Sequence, residues 1–175
     1  TGNVTGATTI TNTGTLGLTT ANAHTATGDV SNIGGIINGD LTSTGGGLTG
    51  NNGGNITGNV QVAGALNNAG GTIGTDGNNA HTATGAVTNT GAGSTINGDL
   101  TTTTAAGTVN NAGGTITGDV STQAAVTNNS AGNIQGTVTS TAGVITNSGG
   151  GQINSSGLVT DTNSVGGNVE NDTNG

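Results

Sequence analysis

Two histidines, His24 and His81, are the side chains in this sequence that are best suited to acid–base chemistry or metal binding. Their contexts match, because Asn22–Val30 reads N-A-H-T-A-T-G-D-V and Asn79–Val87 reads N-A-H-T-A-T-G-A-V. If the chain between the histidines forms three coils of a repeat, the two rings lie about 14 Å apart along its axis. Zinc ligands must all lie about 2 Å from one ion. We therefore expect two solvated loop histidines and no shared metal site.

Four aspartates occur in the motif G-D-[VL], namely Asp29, Asp40, Asp99 and Asp119. Asp99 and Asp119 fall in successive repeats, so their carboxylates could lie about 5 Å apart and share Ca²⁺ with backbone carbonyls. The calcium-binding solenoid motif G-G-x-G-x-D is missing, and neighbouring repeats place Asn59 and Thr137 at this position. We expect a solvent-facing row and no cofactor or metal, with calcium at Asp99 and Asp119 as the alternative.

The composition argues against an enzyme. The 175 residues contain no Lys, Arg, Cys or aromatic residue. Cleavage of a polysaccharide by paired carboxylates needs two acids that flank one sugar bond, in a cleft lined by aromatic or basic groups that this chain lacks. No Ser-His-Asp spacing stands out among the many serines and threonines. We expect no catalytic residues.

Threonines recur with one residue between them, as at 42–44, 101–104 and 137–141. A flat, ranked array of threonines can order water as an ice-binding surface does. The segments Gln61-Val62-Ala63 and Ser121-Thr122-Gln123 interrupt this rank. A flat threonine-rich face that binds ice or a glycan is therefore the alternative function.

The net charge of −8, with no basic residue, argues against nucleic acid and anionic membranes as partners, because phosphates could not be neutralised. No apolar run approaches the roughly 18 residues that span a bilayer, so no membrane insertion is expected. A signal peptide is not recognisable. We expect a mature product or an excerpt of a longer chain.

The whole chain is an internal repeat. The last aliphatic residue before each polar turn recurs about every 19 residues, at Ile10, Val30, Leu48, Leu66, Val87, Val109, Val126, Ile145 and Val165. An asparagine follows two positions later in seven units, as Asn12, Asn32, Asn68, Asn89, Asn111, Asn128 and Asn147. In the other two units Gly50 and Gly167 take this position, and Asn51 and Asn168 come next. The spacing predicts a ladder of asparagine amides along one axis.

A second aliphatic column follows the glycine cluster of each repeat. Its predicted core members are Ile37, Ile56, Ile73, Ile96, Ile116, Ile134 and Ile153. Glycine within the I-x-G-x-[VL] motif, and abundant Thr and Asn, disfavour a helix and favour short strands. The repeat length of about 19 residues predicts an all-β parallel β-helix, or β-solenoid, of about nine coils. We interpret residues 1–175 as one such domain, a rod of roughly 40 Å.

A longer duplication overlies the short repeat. The histidine segment that begins at Asn22 returns at Asn79, and I-N-G-D-L at Ile37 returns at Ile96. These two offsets are nearly equal and correspond to three repeats, so three coils were copied as a block. We expect the two longer coils that carry the histidines to form outward loops on one side.

The phrases N-N-G-G-N-I-T-G-N-V (Asn51–Val60) and N-N-A-G-G-T-I-T-G-D-V (Asn110–Val120) resemble passenger-domain repeats. Such repeats occur in bacterial autotransporter adhesins and in filamentous-haemagglutinin-like exoproteins. The resemblance implies a right-handed parallel β-helix at, or released from, a Gram-negative cell surface, without catalytic residues.

We therefore expect a non-enzymatic, extracellular structural protein: an adhesin stalk or a self-assembling surface fibre, with a host or surface ligand as a possible partner. Uncapped solenoid ends leave unpaired strand edges. They predict head-to-tail pairing with further copies, unless the sequence belongs to a longer chain.

Overall fold

The structure is a computed structural model that describes residues 2–153, 164–165 and 169–171. Within these residues every regular element is a β-strand, and the 25 strands form three parallel sheets. The asparagine sheet contains β1 (Ile10–Asn12), β4 (Val30–Ile33), β7 (Leu48–Asn52), β10 (Leu66–Ala69), β13 (Val87–Thr90), β16 (Val109–Ala112), β19 (Val126–Asn129), β22 (Ile145–Asn147) and β25 (Val169–Asn171).

The second and third sheets have eight strands each. The isoleucine sheet contains β2 (Thr15–Leu16), β5 (Ile36–Ile37), β8 (Asn55–Ile56), β11 (Thr72–Ile73), β14 (Thr95–Ile96), β17 (Thr115–Ile116), β20 (Asn133–Ile134) and β23 (Gln152–Ile153). The threonine sheet contains β3 (Ala23–Ala26), β6 (Asp40–Ser43), β9 (Val60–Val62), β12 (Ala80–Ala83), β15 (Asp99–Thr102), β18 (Val120–Thr122), β21 (Val138–Ser140) and β24 (Ser164–Val165).

The chain visits the three sheets in turn and then begins the next coil, so each strand pairs with the strand three positions along the chain. Val109, for example, pairs in parallel with Val87 of one neighbouring coil and with Val126 of the other. The prediction of an all-β parallel β-solenoid is confirmed, with nine, eight and eight strands in its sheets. The right-handed sense of the coil stays a prediction.

Aliphatic side chains fill the interior in continuous columns, because inward and outward residues alternate along each short strand. The six isoleucines of the isoleucine sheet at Ile37, Ile56, Ile73, Ile96, Ile116 and Ile134 are completely buried. Ile153 is half-buried and packs against them. Each buried aliphatic side chain contributes roughly 1.5–3 kcal/mol, and stacking lets every coil use both of its neighbours.

The corner between the isoleucine and threonine sheets admits no side chain at the glycine of I-x-G-x-[VL]. A Cβ atom on Gly118 would lie 2.4 Å from the carbonyl carbon of Gly98 and 2.6 Å from Oδ1 of Asp99. Gly58 meets the same backbone and carboxylate atoms of Gly39 and Asp40. Glycine is therefore required here by the close approach of successive coils.

The assignment of Val165 to the same column as Ile145 is wrong. Val165 pairs with Ser140 on the threonine sheet, and Val169 pairs with Ile145 on the asparagine sheet. Two valines four positions apart fit the aliphatic pattern equally well, and only backbone pairing distinguishes them. Gly167 and Asn168, which the repeat also included, lie outside the described residues.

Candidate functional site

The asparagine ladder runs through eight coils just inside the asparagine sheet. In each link, Nδ2 of one asparagine donates to Oδ1 of the next at 2.8–2.9 Å. The members, in order, are Asn12, Asn32, Asn51, Asn68, Asn89, Asn111, Asn128 and Asn147. The first seven are buried and Asn147 is half-buried. All seven asparagines predicted for the ladder therefore belong to it.

Asn51 is the member that the regular spacing missed. It lies three positions after Leu48, whereas Asn68 lies two positions after Leu66, yet Leu48 pairs with Leu66 and Asn51 with Asn68. The strand accommodates the extra residue in a register shift between these pairs. This β-bulge returns the asparagine to the interior, where the ladder continues without a gap.

Seven of the eight ladder amides, all but that of Asn89, also donate a hydrogen bond to the turn that follows their own strand. Asn111 Nδ2 donates to the carbonyl of Gly114 at 2.9 Å, and Asn51 Nδ2 donates to that of Gly54 at 3.1 Å. A Cβ atom on Gly54 would lie only 2.2 Å from Nδ2 of Asn32. Glycine at positions 35, 54, 71 and 114 therefore leaves the space that the ladder amide of the preceding coil occupies.

The prediction that the two histidines are solvated loop residues is wrong. His24 lies in β3 and His81 in β12, and each side chain is 1% exposed. In the neighbouring coils the paired positions are Leu41 and Leu100. The histidines replace aliphatic residues of the core, and their polar context in the sequence hides this.

Both nitrogen atoms of each imidazole are bonded to backbone groups of other coils. Nδ1 of His81 accepts the Val60 N–H at 3.1 Å, and Nε2 lies 2.8 Å from the Asn97 carbonyl. His24 repeats this arrangement with Val4 at 3.2 Å and Asn38 at 3.0 Å. Because a backbone N–H can only donate, Nδ1 is the acceptor and Nε2 carries the proton. Burial lowers the pKa of His81, against the weaker opposing effects of the Asn97 hydrogen bond, Asp99 and Asp40.

The histidine coils are also the coils with long loops. Residues 17–22 and 74–79 separate the isoleucine strand from the threonine strand, where the next coil has only Asn38 and Gly39. The loop residues 18–21 and 75–78 are exposed, as the outward loops predicted from the sequence require. Asn22 and Asn79 close the loops, since Oδ1 of each accepts two backbone N–H groups of its own loop.

The aspartates of G-D-[VL] are exposed, and each one bonds the coil that follows. Oδ1 of Asp29, Asp40, Asp99 and Asp119 accepts the backbone N–H of Gly47, Asn59, Asp119 and Thr137, respectively, at 2.8–2.9 Å. At the corner of the coil these carboxylates therefore take the place of a backbone carbonyl as the acceptor for the next coil. Calcium binding at Asp99 and Asp119 stays a prediction. Across the described residues, no three acidic, His or Cys side chains converge as a metal site.

Threonines form two columns on the outer side of the threonine sheet. The first column consists of Thr25, Thr42, Gln61, Thr82, Thr101, Ser121 and Thr139. The second lies two positions further along each strand, at Thr27, Thr44, Ala63, Thr84, Thr103, Gln123 and Thr141. Five of these seven rungs read T-x-T, including the two histidine coils, which the sequence pattern had not assigned to the rank.

The two columns differ in their hydrogen bonds, and one rung interrupts both. The first-column threonines form no hydrogen bond through Oγ1 within the described part of the chain, whereas Thr27 and Thr44 donate to carbonyls of the preceding coil. The rung with Gln61 and Ala63 interrupts the rank and lines a shallow depression of about 520 Å³. The face is therefore a neutral hydroxyl array with one notch.

No family model matches this chain, and neither a curated protein nor a solved structure matches it. The resemblance to autotransporter and haemagglutinin repeats accordingly stays an expectation from the sequence. Within the described residues, no helix has the length and apolar character needed to cross a membrane. The geometry alone supports the functional assignments below.

Proposed function

We propose that this protein is a non-enzymatic structural rod that acts outside the cell, as an adhesin stalk or as the subunit of a surface fibre. The observation that supports this role most directly is the continuous asparagine ladder, which links eight successive coils through buried amides. A row of this kind serves stiffness and not recognition, because its polar groups bond one another.

Three backbone sheets and the aliphatic columns bind each coil to its two neighbours. Stretching the rod along its axis would strain inter-coil hydrogen bonds in all three sheets together. The chain contains no Lys or Arg, so trypsin has no cleavage site. Both properties suit a stalk that holds a binding site away from a cell in a proteolytic environment.

The state of the carboxylates supports a role without catalysis. Asp99 and Asp119 each bond a backbone N–H of the next coil, and both lie on an exposed corner of the rod. General acid–base catalysis by a carboxyl pair needs groups placed on both sides of a bond in a water-excluding cleft. At this corner the two carboxylates instead accept backbone hydrogen bonds that link successive coils.

Surface display is tested with an antibody raised against the purified chain and applied to intact and permeabilised source cells. Immunogold labelling of unpermeabilised cells, together with rods in negative-stain images, is the expected result. Labelling that needs permeabilisation would contradict the extracellular role. Round particles would contradict the rod.

Head-to-tail self-association is part of the same proposal. Strands at the end of a solenoid have unpaired backbone groups that can pair with a second copy. Sedimentation velocity over a hundredfold concentration range, with the native-length protein, is expected to show growing species. A single monomeric boundary throughout would remove self-assembly while leaving the stalk intact.

Ice binding by the threonine sheet is a second candidate function, favoured by the register of its two threonine columns. Successive rungs are about 4.8 Å apart, and the columns are separated by two strand positions, about 6.6 Å. The hydroxyl groups therefore form a regular two-dimensional array that could hydrogen-bond an ordered layer of water. The hydroxyl groups are uncharged, and within the described residues the first-column threonines form no hydrogen bond through Oγ1.

A matched pair of variants tests this candidate. Thr82→Lys places a charged chain in the first column of the threonine sheet, and Thr88→Lys places one on the outer side of the asparagine sheet, at a similarly half-buried strand position. Ice shaping by the wild type that Thr82→Lys abolishes and Thr88→Lys preserves is the expected result. Round, unshaped crystals with the wild type would eliminate ice binding, and a glycan-array signal sensitive to Thr82→Lys would assign the face to sugars.

A further inference from the structure

We propose that His81 is an acid-sensitive clasp between coils, and that its protonation opens the rod at the coil carrying loop 74–79. This inference goes beyond the stalk role and does not depend on it.

The ring spans three coils. Val60, in the coil before, donates its N–H to Nδ1, and Asn97, in the coil after, accepts from Nε2. At the equivalent place in other coils the backbone itself supplies the acceptor: Leu41 donates its N–H to the Asn59 carbonyl, and Leu100 to the Asp119 carbonyl. His81 therefore replaces a backbone acceptor in the coil whose long loop alters the path of the chain.

Protonation would turn this bond into a clash of donors. The neutral ring has one acceptor, Nδ1, and the protonated ring has none. Val60 would then present a buried N–H to another N–H, and an unsatisfied buried donor costs about 1–3 kcal/mol. The backbone carbonyls that accept this bond in other coils do not titrate, so the acid sensitivity of the bond comes from the imidazole of His81.

The surroundings favour the neutral ring. His81 is 1% exposed, and the flanking strand β9 reads Val60-Gln61-Val62, without a titratable group. The charged groups that act on the ring are Asp99 of β15 and Asp40 of β6, which oppose the dominant effect of burial. The pKa of His81 is therefore lowered on balance, and the folded coil binds a proton less readily than the unfolded one.

The direction of the pH effect follows from linkage. Above pH 6.5, the ordinary pKa of histidine, the ring is neutral in both states and stability does not change with this group. Below pH 6.5 the open or unfolded coil takes up the proton first, so the folded coil loses stability as the pH falls towards the lowered pKa. Carboxylates titrate mainly below pH 5, which leaves the interval from pH 7.5 to 5.5 to histidine.

Loop 74–79 determines where opening occurs. Its residues 75–78 are exposed, and in the described part of the chain they bond only within the loop, to Asp76 and Asn79. The loop ends, Gly74 and Asn79, also bond neighbouring coils. Gly74 packs over the ring, since a Cβ atom there would lie 3.1 Å from Nε2. Loss of the imidazole bonds would therefore loosen the loop, which then keeps the anchors at Gly74 and Asn79, before the sheets separate.

Hydrogen exchange of single amides tests the clasp in the full chain. The protection factor of the Val60 amide is expected to fall about tenfold between pH 7.5 and 5.5, because each pH unit below the unfolded pKa shifts the equilibrium by up to tenfold. The Leu100 amide, bonded to a backbone carbonyl, is the internal control and is expected to keep its protection factor. Equal losses at Val60 and Leu100 would overturn local opening.

Two variants connect the effect to the imidazole. His81→Gln keeps one acceptor and one donor but does not titrate, and His81→Leu restores the aliphatic residue found at Leu41 and Leu100. Both are expected to remove the pH dependence at Val60. Persistence of the full tenfold change in either folded variant would overturn the proposal. Nitrogen chemical shifts of His81 give an independent readout, with a protonated Nε2 and a bare Nδ1 expected at pH 7.5 and the reverse tautomer contradicting the clasp.

Discussion

The buried amides of the ladder are hydrogen-bonded to one another. Their contribution to stability therefore appears when one amide is removed and its neighbours lose their partners. Asn111 accepts from Asn89 and donates to Asn128, both at 2.8 Å, and it also donates to the Gly114 carbonyl. Taking away one amide therefore disturbs two coils. Its neighbour Asn110 lies in the same strand and is exposed.

Asn111→Ala is expected to lower the free energy of unfolding by about 2–3 kcal/mol. The side-chain oxygen Oδ1 of Asn128 loses its donor, and Nδ2 of Asn89 loses one of its acceptors. A buried unsatisfied polar group costs roughly 1–3 kcal/mol. Urea unfolding followed by far-UV circular dichroism gives the measurement. Asn110→Ala is the matched control, with an expected change within about 0.5 kcal/mol. Similar losses in both variants would mean that the ladder adds nothing to stability.

At this scale the sequence predicts only part of the candidate site. The asparagines were recognisable because one residue type recurs at one phase of the repeat. The histidines were not, since their neighbours are Ala, Thr and Asn and their partners are backbone groups of other coils, distant in the sequence. The burial of both rings and their pairing with Leu41 and Leu100 show that they belong to the core.

Strand β7 shows how an element corrects its own register. The insertion between Leu48 and Asn51 would turn the asparagine outward in a regular strand, because side chains alternate. The bulge absorbs the extra residue. In the sequence, Gly50 takes the ladder position and Asn51 comes one residue late, and the bulge that returns Asn51 to the ladder cannot be recognised without the paired strands.

Deletion of Gly50 is expected to leave stability within about 1 kcal/mol. The resulting L-T-N-N has the spacing of Leu66-Asn67-Asn68 in the next coil, so Asn51 reaches the interior without a bulge. Deletion of Thr88 is the matched control, because Val87-Thr88-Asn89 has no spare residue and Asn89 would turn outward. Chemical unfolding should show a loss of about 2 kcal/mol or more for the control alone. A comparable loss on deleting Gly50 would show that the bulge itself stabilises the strand.

The glycine corner provides a second prediction at the level of the element. Gly118→Ala is expected to destabilise the rod by about 1–3 kcal/mol, because the new methyl would meet the backbone of Gly98 at 2.4 Å and neither coil can retreat without breaking ladder bonds. Gly77→Ala, in the open loop 74–79, has nothing within 4 Å and serves as the control. Its expected effect is neutral or slightly stabilising. Thermal melting distinguishes the two, and equal behaviour would contradict close packing at the corner.

For the whole molecule, repetition made the architecture predictable. The phases of the aliphatic and asparagine columns, which return about every 19 residues, define three strands and three corners per coil. The irregular coils were harder, because long loops and the shift at Val165 change the spacing without changing the residue types. Each described strand pairs with strands of the adjacent coils, so such local errors do not propagate along the rod.

Removal of residues 40–98 tests this independence of the coils. The deletion takes out one copy of the three-coil block, joins Gly39 to Asp99 and regenerates I-N-G-D-L at the junction. Strand β15 would then pair with β3 in place of β12, and both of those strands read A-H-T-A. Every inter-coil contact of the threonine sheet at the junction is therefore retained in kind. The protein is expected to fold as a rod about 14 Å shorter, since three coils are lost.

Small-angle X-ray scattering and circular dichroism measure the length and the sheet content of this deletion variant. The control deletion of residues 40–87 joins Gly39 to Thr88, so the chain passes from the isoleucine sheet to the asparagine sheet without a threonine strand. Its coils cannot stack in phase across the junction, and reduced cooperativity with exposed apolar surface is expected. If both deletions fold equally well, stacking tolerates missing strands. If neither folds, the coils are not independent units, and the rod depends on contacts beyond nearest neighbours.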